Sequence, residues 1–152
     1  DTVVSPARHH GGPEYETGTM LGANLLIPDL EGLMKAIYDV DDYGLDQIST
    51  GNVIGFLMEA YEKGYIDSVF LDGLDLKWGD VPSTIQMIGK IARREGVGDL
   101  ASKGVRKLAA KIGKDSRNSP LKSKVMSWLA GMFMFQPAEQ SVMLLPTGEP
   151  VI

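Results

Sequence analysis

Two short strings carry the carboxylates best placed to do chemistry. Gly11 to Thr17 (GGPEYET) holds Glu14 and Glu16, and Asp41 to Gln47 (DDYGLDQ) holds Asp41 and Asp46 around Gly44 and Leu45. On an extended segment alternate residues point the same way, so Glu14 and Glu16 would line one wall. A carboxylate buried there, with its pKa raised, would serve as a proton acceptor. Asp41 and Asp46 can each accept two N–H bonds, which suits a ligand rich in ring and amino N–H groups, such as a pterin or a purine. Gly44 can turn left-handed or let a ligand approach the backbone, and a helix beginning just after it presents a positive dipole end favourable for phosphate. Plainer readings stand beside these: solvated acids in a terminal loop, and a corner where Gly44 ends one helix and Asp46 caps the next. Spacing alone favours the plainer reading of both strings.

The segments that carry these groups read as helices. The first begins at Asp29, an N-cap after Pro28, and runs to about Val40, with Leu30, Leu33, Met34 and Ile37 on one face. The second starts near Ser49 or Thr50, both capable caps. Val53, Phe56, Leu57, Ala60 and Tyr61 form its apolar stripe, and Gly64 stands where a left-handed cap belongs. Turn signals at Asp72-Gly73 and Gly79-Asp80 bracket the alternation Leu74 to Trp78, read as a loop with a short extended piece. A third helix follows Pro82-Ser83 with Ile85, Ile88, Ile91 and Ala92 inward, and ends at Glu95-Gly96. Gly96 to Asp99 then makes a corner, with Asp99 as the next cap. The fourth helix carries Leu100, Val105, Leu108, Ala109 and Ile112 to Gly113, and its Lys103, Arg106, Lys107 and Lys111 form a solvated face. A polar linker from Lys114 to Pro120 precedes an apolar last helix, Leu121 to Phe135, and an irregular tail. The fold class is mainly α: a multi-helical domain of about five helices with irregular loops and tail.

Bulk properties narrow the classes. At 152 residues the chain holds one domain with a real core. A net charge of −5, from 20 acids against 15 Lys and Arg, argues against nucleic acid as a partner, which calls for a basic stripe. No apolar run is long enough to cross a bilayer and the N-terminus lacks a basic-then-apolar signal pattern, so no membrane partner and a cytoplasmic chain are expected. With 0 cysteines the chain can form no disulfide and ligate no cluster through sulfur. Its 8 Met suit an adaptable apolar surface of the kind a homo-oligomer would use. The adjacent His9 and His10, the chain's 2 histidines, point in different directions on most backbones and read as a solvated terminus. No GxxxxGK phosphate loop, HExxH pair or Ser or Cys nucleophile apparatus is present.

Taken in order, the strings resemble one family. Gly12 to Thr17, Gly22-Ala23-Asn24, Asp29-Leu30, Asp41 to Asp46, Ile48 to Ile54, Met58-Glu59, Tyr61 to Gly64, Leu74 to Asp80, Ala92 to Leu100 and Gly104-Val105-Arg106 are collinear with the tungsten-containing aldehyde ferredoxin oxidoreductases. The resemblance covers Gly12 to Gly113 and belongs to that family's helical second and third domains. It divides the chain into residues 1–115, a helical domain resembling the family's central part, and 116–152, a linker, apolar helix and irregular tail.

What the resemblance implies is a tungsten bis-pterin beside a [4Fe-4S] cluster, oxidation of aldehydes to carboxylic acids, and electron transfer to ferredoxin. The family's DxxGLD pterin motif carries over to Asp41, Gly44, Leu45 and Asp46, with Gln47 at the variable last position. Glu16 keeps the family spacing to that motif and becomes the proton-handling residue, with Glu14 the alternative. The family's cluster cysteines, its N-terminal pterin-binding domain, its C-terminal segments and its second pterin motif have no counterpart here. Where some members place an ExxH iron site this chain reads Lys35-Ala36-Ile37-Tyr38, so no metal ligand is expected. The chain is thus expected to be a fragment or subunit that contributes one pterin-binding wall and is inactive alone. A non-catalytic helical scaffold derived from the family is the alternative.

Overall fold

The computed structural model describes residues 13–115, and these fold into six α-helices and one 3-10 turn. The sequence expectation of a mainly α chain holds. The apolar helix and tail expected beyond residue 115, and the His9-His10 pair, lie outside the described residues.

The chain enters through a helix that periodicity did not reveal. Helix α1 (Tyr15–Leu21) is only 7 residues long and buries Thr17 and Leu21, one turn apart, against the rest of the fold. Gly22 ends it, and a 3-10 turn over Ala23–Leu25 closes at Leu26, which adopts a left-handed φ of 56°. Helix α2 (Leu30–Asp42) starts where the sequence says, with the Asp29 carboxylate accepting the Gly32 N–H at 2.7 Å. It runs on to Asp42, and its buried face is Gly32, Ala36, Ile37 and Val40. Leu30, expected on that face, is instead 70% exposed.

Helix α3 (Gln47–Glu62) is the axis of the molecule. Val53, Ile54, Phe56, Leu57, Met58 and Ala60 are all buried, so the expected stripe is really burial on nearly every side. Helices α1 and α2 pack on it, as do α4 (Val81–Arg93) and α6 (Val105–Asp115). Its cap is Asp46, whose carboxylate accepts the Ser49 N–H at 2.6 Å, and not Ser49 or Thr50. A carboxylate three residues before an unpaired N–H is the stronger acceptor, and it extends the helix by one turn. At the far end Gly64 turns left-handed at φ 68°, as expected.

From Tyr65 to Asp80 the chain crosses the surface without forming a strand. Leu74 and Leu76 are buried while Asp75 and Lys77 face out, so the alternation is real but finds no strand to pair with among the described residues. Helix α4 begins at Val81, a turn-edge earlier than Pro82-Ser83 suggests, because Asp80 accepts the Ser83 N–H at 2.9 Å. The expected single fourth helix is two: α5 (Val97–Ala101) and α6, separated where Gly104 takes φ 88°. Gly96, not Asp99, stands at the α5 cap position, and Asp99 pairs with Lys103.

The α4–α5 corner is locked by Asp72, a non-glycine residue held at φ 56°. Its carboxylate accepts the Val97 N–H at 2.7 Å and lies 3.2 Å from the Lys90 ammonium. The bond from Val97 first, and Lys90 after it, hold the Asp72 pKa below its ordinary value. A folded-state pKa below the unfolded one gives stability that is present above the unfolded value and lost as pH falls through the folded one. Urea midpoints for the parent chain and Asp72→Asn should therefore differ most near neutral pH and converge as pH drops below the ordinary aspartate value of about 3.9. A gap that stayed constant down to acid pH would show that the charge of Asp72 contributes nothing.

Candidate functional site

The two acidic strings, far apart in sequence, meet at one end of α3. Asp41 lies in the last turn of α2, and Gly44 reverses the chain at φ 66° with its N–H on the Asp41 carbonyl at 2.9 Å. The Leu45 N–H returns to the Val40 carbonyl at 2.9 Å, and Asp46 then opens α3. Gly44 ends one helix and Asp46 caps the next, so the plainer reading of this turn is correct as local structure. It leaves the chemistry available. Asp41, Gly44 and Asp46 are exposed, Leu45 and Gln47 are half-buried, and no heavy atom lies within 4 Å of where a Cβ would stand on Gly44. One N–H of the α3 mouth is already taken by Asp46, which makes this end a weaker phosphate site than an uncapped one.

The GPEYET string arrives on α1. Glu14 is extended at the cap position without capping through its side chain, and Glu16 sits in the first helical turn. The expected extended segment is therefore absent from Tyr15 onward. Two positions apart on a helix do not share a face, so Glu14 and Glu16 do not line one wall. Both carboxylates are exposed, not buried as the proton-acceptor reading requires.

What joins the strings is the next residue. The Thr17 hydroxyl donates to Oε1 of Gln47, and Nε2 of Gln47 donates to Oδ1 of Asp41. Thr17 is only 6% exposed. The backbones are close as well: a Cβ on Gly51 would stand 2.4 Å from the Met20 carbonyl oxygen, so α1 rests directly on the bare face of α3. Asn24 staples the crossing, its amide donating to the Gly51 carbonyl at 3.3 Å and the Met20 carbonyl at 3.5 Å. On the other side of the turn, the Arg93 guanidinium bonds Glu95 at 2.9 Å and also reaches the Tyr43 hydroxyl. Glu95 first, and Tyr43 more weakly, raise the pKa of Arg93 further above its ordinary value.

Residues 2–132 match the family described as aldehyde ferredoxin oxidoreductase, domains 2 & 3. The chain belongs to that family. The match extends on both sides of the 12–113 stretch that the residue strings marked out. Among relatives, the tungsten-containing aldehyde ferredoxin oxidoreductase of Pyrococcus furiosus is 45% identical over 103 residues, covering 67% of this chain and 17% of the relative. That of Thermococcus kodakarensis is 42% identical over 103 residues, with the same coverage. The WOR-like subunit of the aliphatic sulfonate oxidoreductase of Pyrococcus furiosus is 37% identical over 100 residues, 66% of this chain and 16% of the relative. The chain thus spans about a sixth of the length of these relatives.

The donor set bears on which family cofactors these residues suit. Exposed acceptors at Asp41 and Asp46 flanking an open glycine fit the N–H edge of a pterin. No group of three or more His, Cys, Asp or Glu able to hold an ion occurs among the described residues. At the position of the ExxH site of some family members, Lys35 pairs with Asp39 on the α2 surface while Ala36 and Ile37 are buried. Nor is any helix among the described residues long and apolar enough to cross a membrane.

Thr17 and Asn24 escaped sequence reasoning. Both were visible only as small polar residues within matching strings, and nothing local marks either as reaching across to α3.

Proposed function

We propose that the chain forms one pterin-binding wall of a tungsten oxidoreductase that converts aldehydes to carboxylic acids and passes the electrons through an iron–sulfur cluster to ferredoxin. The observation that carries this reading is the Thr17–Gln47–Asp41 chain, which brings the acidic string and the turn together within a family match. Asp41 and Asp46 accept N–H bonds from the pterin, and Gly44 and Leu45 give it a bare backbone to lie against. A tungsten bis-pterin, when bound, supplies the acceptor for two electrons. Water provides the oxygen that converts the aldehyde to the acid, and the conversion releases two protons with the two electrons. Glu16, one residue before the Thr17 link, takes up the proton from water, and the one derived from the aldehyde C–H passes to solvent. Glu14 stands at the cap of α1, with no side-chain tie to the turn, and is the secondary choice.

Exposure of both acids in this chain suits a wall that another segment covers. Tyr15 is 84% exposed, Tyr43 48% and Ile48 42%, all three within or beside the two strings. Burial by that segment would supply the dry surroundings that proton transfer from water requires. Tungsten and pterin analysis of the chain purified with its native partners tests the reading. Stoichiometric tungsten and pterin, with both lost on Asp41→Asn, are expected. Absence of both from the intact assembly would sink the enzyme reading and leave a helical scaffold. Turnover of an alkyl sulfonate but no aldehyde would keep the wall and move the substrate to the class named for the sulfonate relative.

A further inference from the structure

Gln47 occupies the last position of the pterin turn, yet its side chain is already committed within the protein. Its amide has one acceptor and one donor end, and both are engaged: Oε1 receives the Thr17 hydroxyl, and Nε2 donates to Asp41. A carboxylate offers only acceptors, so the NH2 end must face Asp41 and the carbonyl end must face Thr17. The polarity of the chain is therefore fixed by chemistry. Thr17 is buried and rotamer-restricted as a β-branched residue on α1, while Gln47 is half-buried in the first turn of α3. The tie runs from the helix that carries Glu16, through α3, to a carboxylate on α2.

We propose that Thr17 and Gln47 are positioning residues: Thr17 fixes the amide of Gln47, and Gln47 holds the Asp41 carboxylate in the orientation that receives the pterin. Gln47 acts through Asp41 and does not itself touch the pterin. The inference rests on the reading of Asp41 as a pterin acceptor. Losing a hydrogen bond to a charged group, or leaving its partner unsatisfied, changes an equilibrium by about ten- to a hundredfold.

Four variants separate the roles. Thr17→Val removes the donor at constant shape and Thr17→Ser restores it. Gln47→Leu removes both ends of the amide. Gln47→Glu keeps an acceptor for Thr17 but sets a carboxylate against Asp41. Two readouts are used. In the assembly purified with its native partners, pterin retention under dilution should fall about ten- to a hundredfold in Gln47→Leu, Gln47→Glu and Thr17→Val, and Thr17→Ser should rescue it. In the 152-residue chain itself, NMR should show the Gln47 side-chain NH2 protected from solvent exchange in the parent and Thr17→Ser, and unprotected in Thr17→Val. Retention unchanged in Gln47→Leu and Gln47→Glu would overturn the positioning role, as would loss of amide protection in Thr17→Ser equal to that in Thr17→Val. Asp41→Asn distinguishes the two layers. If it retains pterin, the wall itself is wrong; if it loses pterin while the Gln47 variants keep it, only the positioning role falls.

Discussion

Glu16→Gln is expected to lower aldehyde oxidation by the native assembly by about two to four orders of magnitude, the usual contribution of a positioned proton acceptor. Tungsten and pterin content should stay at parent levels, because the proposal sets Glu16 on the proton path and leaves the N–H acceptors to Asp41 and Asp46. Glutamine keeps the length and the helix propensity of the first α1 turn, where Glu16 is exposed, so folding should lose no more than the weak dipole interaction of one surface acid. Glu14→Gln is the companion measurement and should have a much smaller effect. The physical reason is registration. Glu16 lies beside Thr17, whose hydroxyl is tied to Gln47, whereas Glu14 stands at the cap position of α1. Initial rates at saturating aldehyde, normalised to tungsten, decide it. Equal losses in the two variants would assign the proton to neither position in particular, and a larger loss in Glu14→Gln would reverse the assignment.

The second large effect is structural. Gly51→Ala should destabilise the chain by about 1–3 kcal/mol, as an added methyl does in a tight core. For a chain of this size that is a fall in Tm of about 2–12 °C. Three Met20 atoms lie within 3.0 Å of the Cβ position, two of them from its backbone carbonyl, so no side-chain rotation relieves the clash. The helix α1 must back away from α3, which pulls Thr17 from Gln47. Gly18→Ala is the control. It sits in α1 with no heavy atom within 4 Å of its Cβ position, and alanine there should be neutral or stabilising by about half a kcal/mol. Thermal melts of both variants, with the Gln47 amide followed by NMR, check the pair. A Gly51→Ala chain that melts with the parent would mean that the helices have room to slide.

Much of this was open to the sequence, and the failures have particular causes. Asp29 and its helix were legible because a cap, an apolar period and a following turn agree. The turn at Gly44 was legible for the same reason. Helix α1 was not, since 7 residues with two buried positions give no period to detect. The cap of α3 was legible in two ways that disagree: the helical pattern points to Ser49 or Thr50, while the plainer reading of the turn points to Asp46, which takes the role. The split between α5 and α6 hid behind continuous helical spacing, and only Gly104 marked it. At the site, the residue types were plain and the pairing was not. Thr17 and Gln47 are separated by 30 positions, and a contact across that distance is set by how α1 lies on α3. That crossing depends on Gly51 having no side chain, a fact the sequence contains but does not point to.

Helix α3 is walled in along most of its length, and its first turn forms the mouth of the proposed site. Segments open in proportion to how little they bury, and an element at the centre of the core opens only when the whole domain does. The turn from Asp41 to Gln47 is therefore anchored to the most deeply buried helix of the described fold, although most of its own residues face solvent. A ligand edge held there would feel the lifetime of the fold and not that of a surface loop. Stability and residence time are then coupled, so a distant core substitution should also shorten the hold on whatever the turn carries.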